Sequence, residues 1–279
     1  MSLRSTAFVL SLACSFVVSA HAGVRDQESA LAERRAELAE RAQRAYERIV
    51  AAQTEPLATT ADQVIDRCIA AMGGREALAS LRTLSMTSSG FMVGGPFGGT
   101  RLLKAPNLIR QGRDDGSAVV TDGVSAWRVE GDQWQRLSTD QTLWLRLFNI
   151  SLDLLQPEKK NVRYDFLGTV ALEGGAFYKL RKTISTGKEG FIYFDISTGL
   201  LTIEEEFGEE GRKANLFFDH REVGGVLLPH MRVRIAEVID TAHVVLMSYE
   251  ANPPLDDALF EPRIEMAAEE LDGRSDLEP

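Results

Sequence analysis

The chain has 279 residues, with 31 Lys and Arg against 41 Asp and Glu and a formal net charge of −10. A surface this acidic repels nucleic acid and anionic lipid head groups, which excludes the DNA- and RNA-binding classes. Its 2 cysteines cannot support a disulfide framework, and 44% apolar content suffices for one substantial core.

Residues 1–22 are expected to be a cleaved export signal. Arg4 supplies a positive n-region, and 8–18 is an apolar run of about eleven residues, too short to span a bilayer. Ala20-His21-Ala22 forms an A-x-A cleavage site, which predicts a periplasmic mature chain. Ser11-Leu12-Ala13-Cys14 has the outline of a lipobox and gives the alternative, an anchor at Cys14. Against it, Ser11 replaces a large aliphatic residue, and apolar residues 16–18 follow the cysteine. Cleavage leaves Cys68, which lies on the apolar stripe of a helix and reads as a small buried hydrophobe.

Residues 25–53 are dominated by the strong helix formers Ala, Glu and Arg. Glu37 with Arg41, and Glu40 with Arg44, stand in the favourable i,i+4 order for ion pairs. The apolar stripe (Leu31, Leu38, Ala42, Tyr46, Ile49, Val50) is thin. It suits a solvated helix docked along one seam, or an arm that binds a partner. Residues 23–60 are therefore this charged helix plus a linker broken at Pro56. Thr60 is placed to cap the next helix.

Residues 62–92 begin a new unit. A helical pattern (Val64, Ile65, Cys68, Ile69, Met72) stops at Gly73-Gly74, and a short second turn (Ala77, Leu78, Leu81) runs straight into alternating strand. Strand signals then follow over 83–92, 97–104, 108–113, 117–121, 124–130 and 133–137. They are split by Gly-Pro, Asp-Asp-Gly, Asp122-Gly123 and Gly131-Asp132 turns, with Asp122-Gly123 expected as a type I′ turn. The pattern changes over 140–155, where Leu143, Trp144, Leu147, Phe148, Ile150, Leu154 and Leu155 repeat at helical spacing on a wide apolar face. Ser138 or Thr139 can cap it, and Pro157 ends it. Strand signals resume from 162 to 250, separated by Gly-rich turns at 174–175, 186–187, 197–199, 208–211 and 224–225. About a dozen strands in all predict an antiparallel meander curled into a barrel or sandwich. The barrel unit covers 61–262, and residues 263–279 form an acidic tail.

No constellation for catalysis or metal binding emerges. His220, His230 and His243 stand in no zinc spacing, and there is no G-x-S-x-G elbow, P-loop or dinucleotide fingerprint. Thr121-Asp122-Gly123 has the wrong order for an aspartic-protease triplet. The run Glu204-Glu205-Glu206 with Glu209 and Glu210 reads as a solvated strand edge that discourages sheet-to-sheet association. His220, beside Asp219 and Arg221, reads as a surface strand residue. The sequence therefore predicts no enzyme and no cofactor. Aromatic residues are spread over many strands and the 140–155 helix, as either core packing or a cavity lining requires. A sheet of this many strands encloses more space than its side chains readily fill, and an apolar helix between strands can plug or lid it.

Four segments carry a family resemblance. They are 62–92 with its helix, Gly-Gly and "EALASLRTL" lead-in; "YFDISTGLL" at 193–201; "DHREVGGVLLPH" at 219–230; and "NPPLDDALF" at 252–260. In order and spacing they resemble the outer-membrane lipoprotein-sorting proteins, the LolA/LolB-like superfamily. The resemblance implies a mainly β fold: a curved, incompletely closed antiparallel β-barrel with covering helices, here preceded by an N-terminal helix. It also implies carriage of a lipid or acyl chain through the periplasm, with inner- or outer-membrane donor and acceptor proteins as partners. It carries over no individual site residue. For the ligand-binding lining the sequence points to Trp144, Leu147 and Phe148 from the central helix and Trp127 and Trp134 from the sheet. The alternative function is a non-enzymatic envelope interaction or scaffold module that uses the 25–53 helix.

Overall fold

The computed structural model describes residues 57–92, 95–145, 152–172, 175–208, 211–236 and 241–261, with Glu40, Gln43, Arg44, Glu47 and Ala51. The export signal, Cys14, most of the 25–53 helix and the acidic tail lie outside the described residues. The five isolated residues are helical and exposed, and Arg44 pairs with Glu40 at 3.2 Å as their spacing predicts.

Helix α1 (Ala61–Ala71) starts where Thr60 accepts a hydrogen bond from the Gln63 amide, and the Gln63 side chain accepts one from the Thr59 amide at 2.8 Å. Its buried stripe is Val64, Ile65, Cys68 and Ile69. Helix α2 (Gly74–Ser80) adds Leu78. Each such aliphatic side chain contributes about 1.5–3 kcal/mol on burial.

Thirteen strands then form one antiparallel sheet. They are β1 (Thr83–Met92), β2 (Gly95–Lys104), β3 (Leu108–Arg113), β4 (Ala118–Thr121), β5 (Ala126–Glu130), β6 (Gln133–Arg136), β7 (Arg163–Leu172), β8 (Gly175–Thr183), β9 (Glu189–Asp195), β10 (Leu201–Gly208), β11 (Gly211–Val223), β12 (Val226–Ala236) and β13 (Thr241–Ala251). The order is β6-β5-β4-β3-β2-β1-β13-β12-β11-β10-β9-β8-β7. The sheet curves without closing. Its free edges are β6 and β7, which follow one another in sequence, so residues 137–162 join opposite edges of the opening. Edge pairing is limited on both sides: β6 is short and polar, and β7 carries a bulge between Phe166 and Gly168.

The single helix expected over 140–155 appears among the described residues as α3 (Thr139–Leu145) and α4 (Leu152–Leu155). Ser138 caps α3 by accepting from the Gln141 amide at 3.3 Å. Leu154 and Leu155 pack on the main core beside α1, Tyr164 and Phe166.

The Asp122-Gly123 turn differs from expectation. A type I′ turn needs positive φ at both central residues, but only Gly123 has it, at 89°. The Asp122 carboxylate instead accepts from the Val124 and Ser125 amides at 2.8 and 2.7 Å, which holds a wider loop.

A second correction concerns the glutamate run. β10 lies inside the sheet between β9 and β11, so Glu204–Glu206 is no edge. Alternation sends Glu204 and Glu206 to one face and Glu205 to the other, where it is 2% exposed.

Candidate functional site

Cross-strand register fixes which side chains share the concave face. Leu103 on β2 pairs with Leu84 on β1 and with Ile109 on β3, and Leu180 pairs with Ile192 across β8 and β9. These residues pack under α1, α2 and α4, so one end of the concave face is a filled apolar core. The Ala58 amide donates to the Tyr178 hydroxyl at 3.2 Å, and the Arg67 guanidinium sits 5.9 Å from the Tyr178 ring centre.

Toward the other end the same face opens. A cavity of about 540 Å³ lies over β1, β2, β3, β12 and β13. Its apolar wall is Met86, Phe97, Val245 and Met247. Alternation along β13 decides the facing: Val245 and Met247 are 3% and 8% exposed, whereas Val244 and Leu246 on the opposite face are 43% and 55% exposed.

The polar wall of this cavity is Arg101, Gln111, Arg232, Arg234 and His243. Arg101 donates to the Gln111 side chain at 2.8 Å. Burial, and then the neighbouring Arg232, lower Arg101 to about 10. Burial also lowers Arg232, with Arg234 as the next cause. The guanidiniums thus stand close enough to repel one another in a desolvated site. The buried Nε of Arg232 and the Oδ1 of Asn215 find no hydrogen-bond partner, and Asn215 is the register partner of Arg234. Register continues the polar face onto Lys213, Glu204, Glu206 and Lys182. Lys182 pairs with Glu204 at 3.5 Å. Glu206 is pushed above the ordinary glutamate value, first by burial and then by Glu204.

The opposite face of the same strands holds a second buried cluster of Phe177, Tyr193, Ile203, Leu216 and Ile235. Glu205 sits among them, accepting from the Tyr193 hydroxyl at 2.9 Å and from Arg212. Lys179 places its ammonium 4.1 Å from the Phe191 ring centre. His220, half-buried on β11, has its pKa lowered, mainly by that burial.

Of the residues expected to line a ligand site, Trp127 and Trp134 lie away from the cavity. Trp127 is buried on β5 and pairs with Val120, which pairs with Arg110. That row is one residue out of step with Gln111 and Arg101, so it belongs to the opposite face. Trp134 packs beside Ala118, Val120 and Val129 on that same face. Trp144 lies on α3, while Leu147 and Phe148 are outside the described residues. Sequence reasoning missed Arg232 and Arg234. Their i,i+2 spacing on a strand was the available signal, but alternation alone does not say which face is concave.

No family model and no curated protein matches the chain. Solved structures do match it. A LolA superfamily protein from Nitrosomonas europaea aligns with TM-score 0.51 and 16% identity over 73% of this chain and 98% of its own. A DUF1329 family protein from Desulfovibrio piger aligns with TM-score 0.52 and 14% identity, covering 72% and 96%. An outer membrane lipoprotein-sorting protein domain from Vibrio parahaemolyticus aligns with TM-score 0.52 and 10% identity, covering 71% and 95%. With its unclosed antiparallel sheet and its helices packed on the concave face, the chain has a LolA-like fold.

Proposed function

We propose that this protein is a periplasmic, non-enzymatic carrier of a lipid or lipid-anchored molecule, held on the concave face of the half-barrel. One observation carries the reading: among the described residues, the concave face keeps a cavity of about 540 Å³. That volume falls within the ~300–1,000 Å³ of small-molecule sites. Met86, Phe97, Val245 and Met247 offer an acyl chain an apolar wall. Each methylene removed from water there contributes about 0.8 kcal/mol, so a long chain needs few polar contacts.

Residues 137–162 connect edge strand β6 to edge strand β7. In this reading Trp144, Leu147 and Phe148 cover the bound chain, and loading and release require this segment to move. Trp127 and Trp134, on the other face, take no part. A carrier of this kind exchanges its ligand with donor and acceptor sites at the membranes that flank the periplasm.

The test is native mass spectrometry with lipid extraction on protein purified without detergent. Co-purified lipid, or uptake of a fluorescent fatty acid, is expected. Protein that is lipid-free and takes up no fatty acid would sink the carrier reading.

A further inference from the structure

The chain is acidic overall, yet its open concave face concentrates cations. Arg101, Arg232 and Arg234 converge on the cavity, with His243 beside them. Among the described residues, the carboxylates that face them are few. Glu204 is engaged by Lys182, and Glu206 lies beyond Arg234 with Lys213 next to it. Asp114 and Asp115 stand at the cavity rim, where both are exposed, and Asp115 is tied back to Ser117 at 2.6 Å. Gathering guanidiniums in a desolvated basin costs free energy, and an anion bound among them offsets that cost. Arginine suits this role because its planar fork matches a carboxylate or phosphate in two-point hydrogen bonding.

We propose that Arg101, Arg232 and Arg234 form a receptor for an oxyanion, a phosphate or carboxylate on the ligand's head group, so that the preferred cargo is an anionic amphiphile. Its acyl part lies against Met86, Phe97, Val245 and Met247, and its charged end reaches the arginines in the same cavity. This rests on the carrier reading and adds the ligand's chemical class. It also qualifies the repulsion expected from net charge: the outer surface disfavours anionic head groups, while the basin selects for them.

The test compares three probes on the full-length mature protein by isothermal titration calorimetry below their critical micelle concentrations. They are oleoyl lysophosphatidic acid, the neutral monoacylglycerol with the same chain, and inorganic phosphate. Charge-assisted hydrogen bonds predict that the anionic lipid binds about 10- to 100-fold more tightly than the neutral one. Raising salt should narrow the gap. In an Arg232→Met, Arg234→Met double variant the ratio of the two affinities should fall to about one, whichever way the monoacylglycerol affinity itself moves. Circular dichroism and a cooperative urea transition verify that this variant is folded. Equal affinity for the two lipids, or a preference that survives the double variant, overturns the inference and leaves the carrier reading intact. Phosphate binding as tightly as the phospholipid reassigns the site to a free anion and overturns the head-group assignment. Uptake of neither lipid overturns the carrier reading, and this inference with it.

Discussion

A Cβ added to Gly73 would stand 2.2 Å from the carbonyl oxygen of Gly225. The junction of α1 and α2 is thus pressed backbone to backbone against the β11–β12 turn, and Leu227 donates its amide to the Met72 carbonyl at 2.9 Å. Gly73 also has φ 117°, which side-chain-bearing residues rarely adopt. Gly73→Ala should therefore cost about 2–4 kcal/mol, combining backbone strain with displacement of the turn. Gly74 has φ 91°, and a methyl added there would meet nothing within 4 Å. Gly74→Ala should cost only the conformational strain, about 1–2 kcal/mol. Urea midpoints of the two variants measure the difference, and equal losses would contradict the close approach.

The Glu205–Arg212 pair makes a second prediction. Glu205 is 2% exposed, and the Arg212 side chain is 13% exposed. Arg212→Met strands a buried carboxylate and should destabilise by about 3–5 kcal/mol. Adding Glu205→Leu should recover most of that loss, because two apolar side chains need no desolvated charge. A double-mutant cycle by chemical denaturation checks this. Additive losses would show that the two side chains are not coupled.

Glu206 predicts a pH dependence. Its folded-state pKa lies above the ordinary value of 4.5, chiefly through burial. The folded state therefore favours the protonated acid. Its contribution to stability is fully present below 4.5 and is lost as pH rises through the raised value. Glu206→Gln keeps the shape without the charge and should flatten the fall in stability from that region toward neutrality. Denaturation midpoints at pH 5 and pH 7.5 in both proteins measure the slope (about one urea series each). A steeper fall in the variant would reverse the sign.

Cys68 offers a probe of motion. It is fully buried on α1, with Sγ 3.7 Å from the Met72 sulfur. Labelling by a thiol reagent should wait for α1 to lift from the sheet, so its rate in native buffer should fall well below that of the urea-unfolded chain. Immediate labelling would show that α1 is not seated.

The resemblance motifs now have a physical explanation. Gly73 meets Gly225. Gly199 lies so close to α1 that a methyl there would be 3.2 Å from the Arg67 carbonyl oxygen. The Asn252 side chain accepts from the Arg82 amide at 2.8 Å, and the Thr83 hydroxyl donates to the Pro253 carbonyl at 2.6 Å. Segments far apart in sequence thus clamp one helix pair to the sheet. Backbone contacts this close tolerate few residue types, and this makes the motifs readable without a structure.

What the sequence determined by itself was local and periodic. The Thr60 cap, the stripe of α1, the strand succession and the Gly-Gly turns all follow from backbone preferences and spacing. What only the tertiary structure decided was facing. On β12 the apolar residues Met231, Val233 and Ile235 alternate with Arg232 and Arg234, and a sequence reading would send the arginines to solvent. The curvature of the sheet sends them into the cavity instead. Glu205 on β10 is buried while its neighbours face the basin. A period of two separates a strand's side chains into two sets, but it carries no information about which set the curved sheet encloses. That depends on the strand order and on where α1, α2 and α4 pack, both of which are set by contacts between residues distant in the chain.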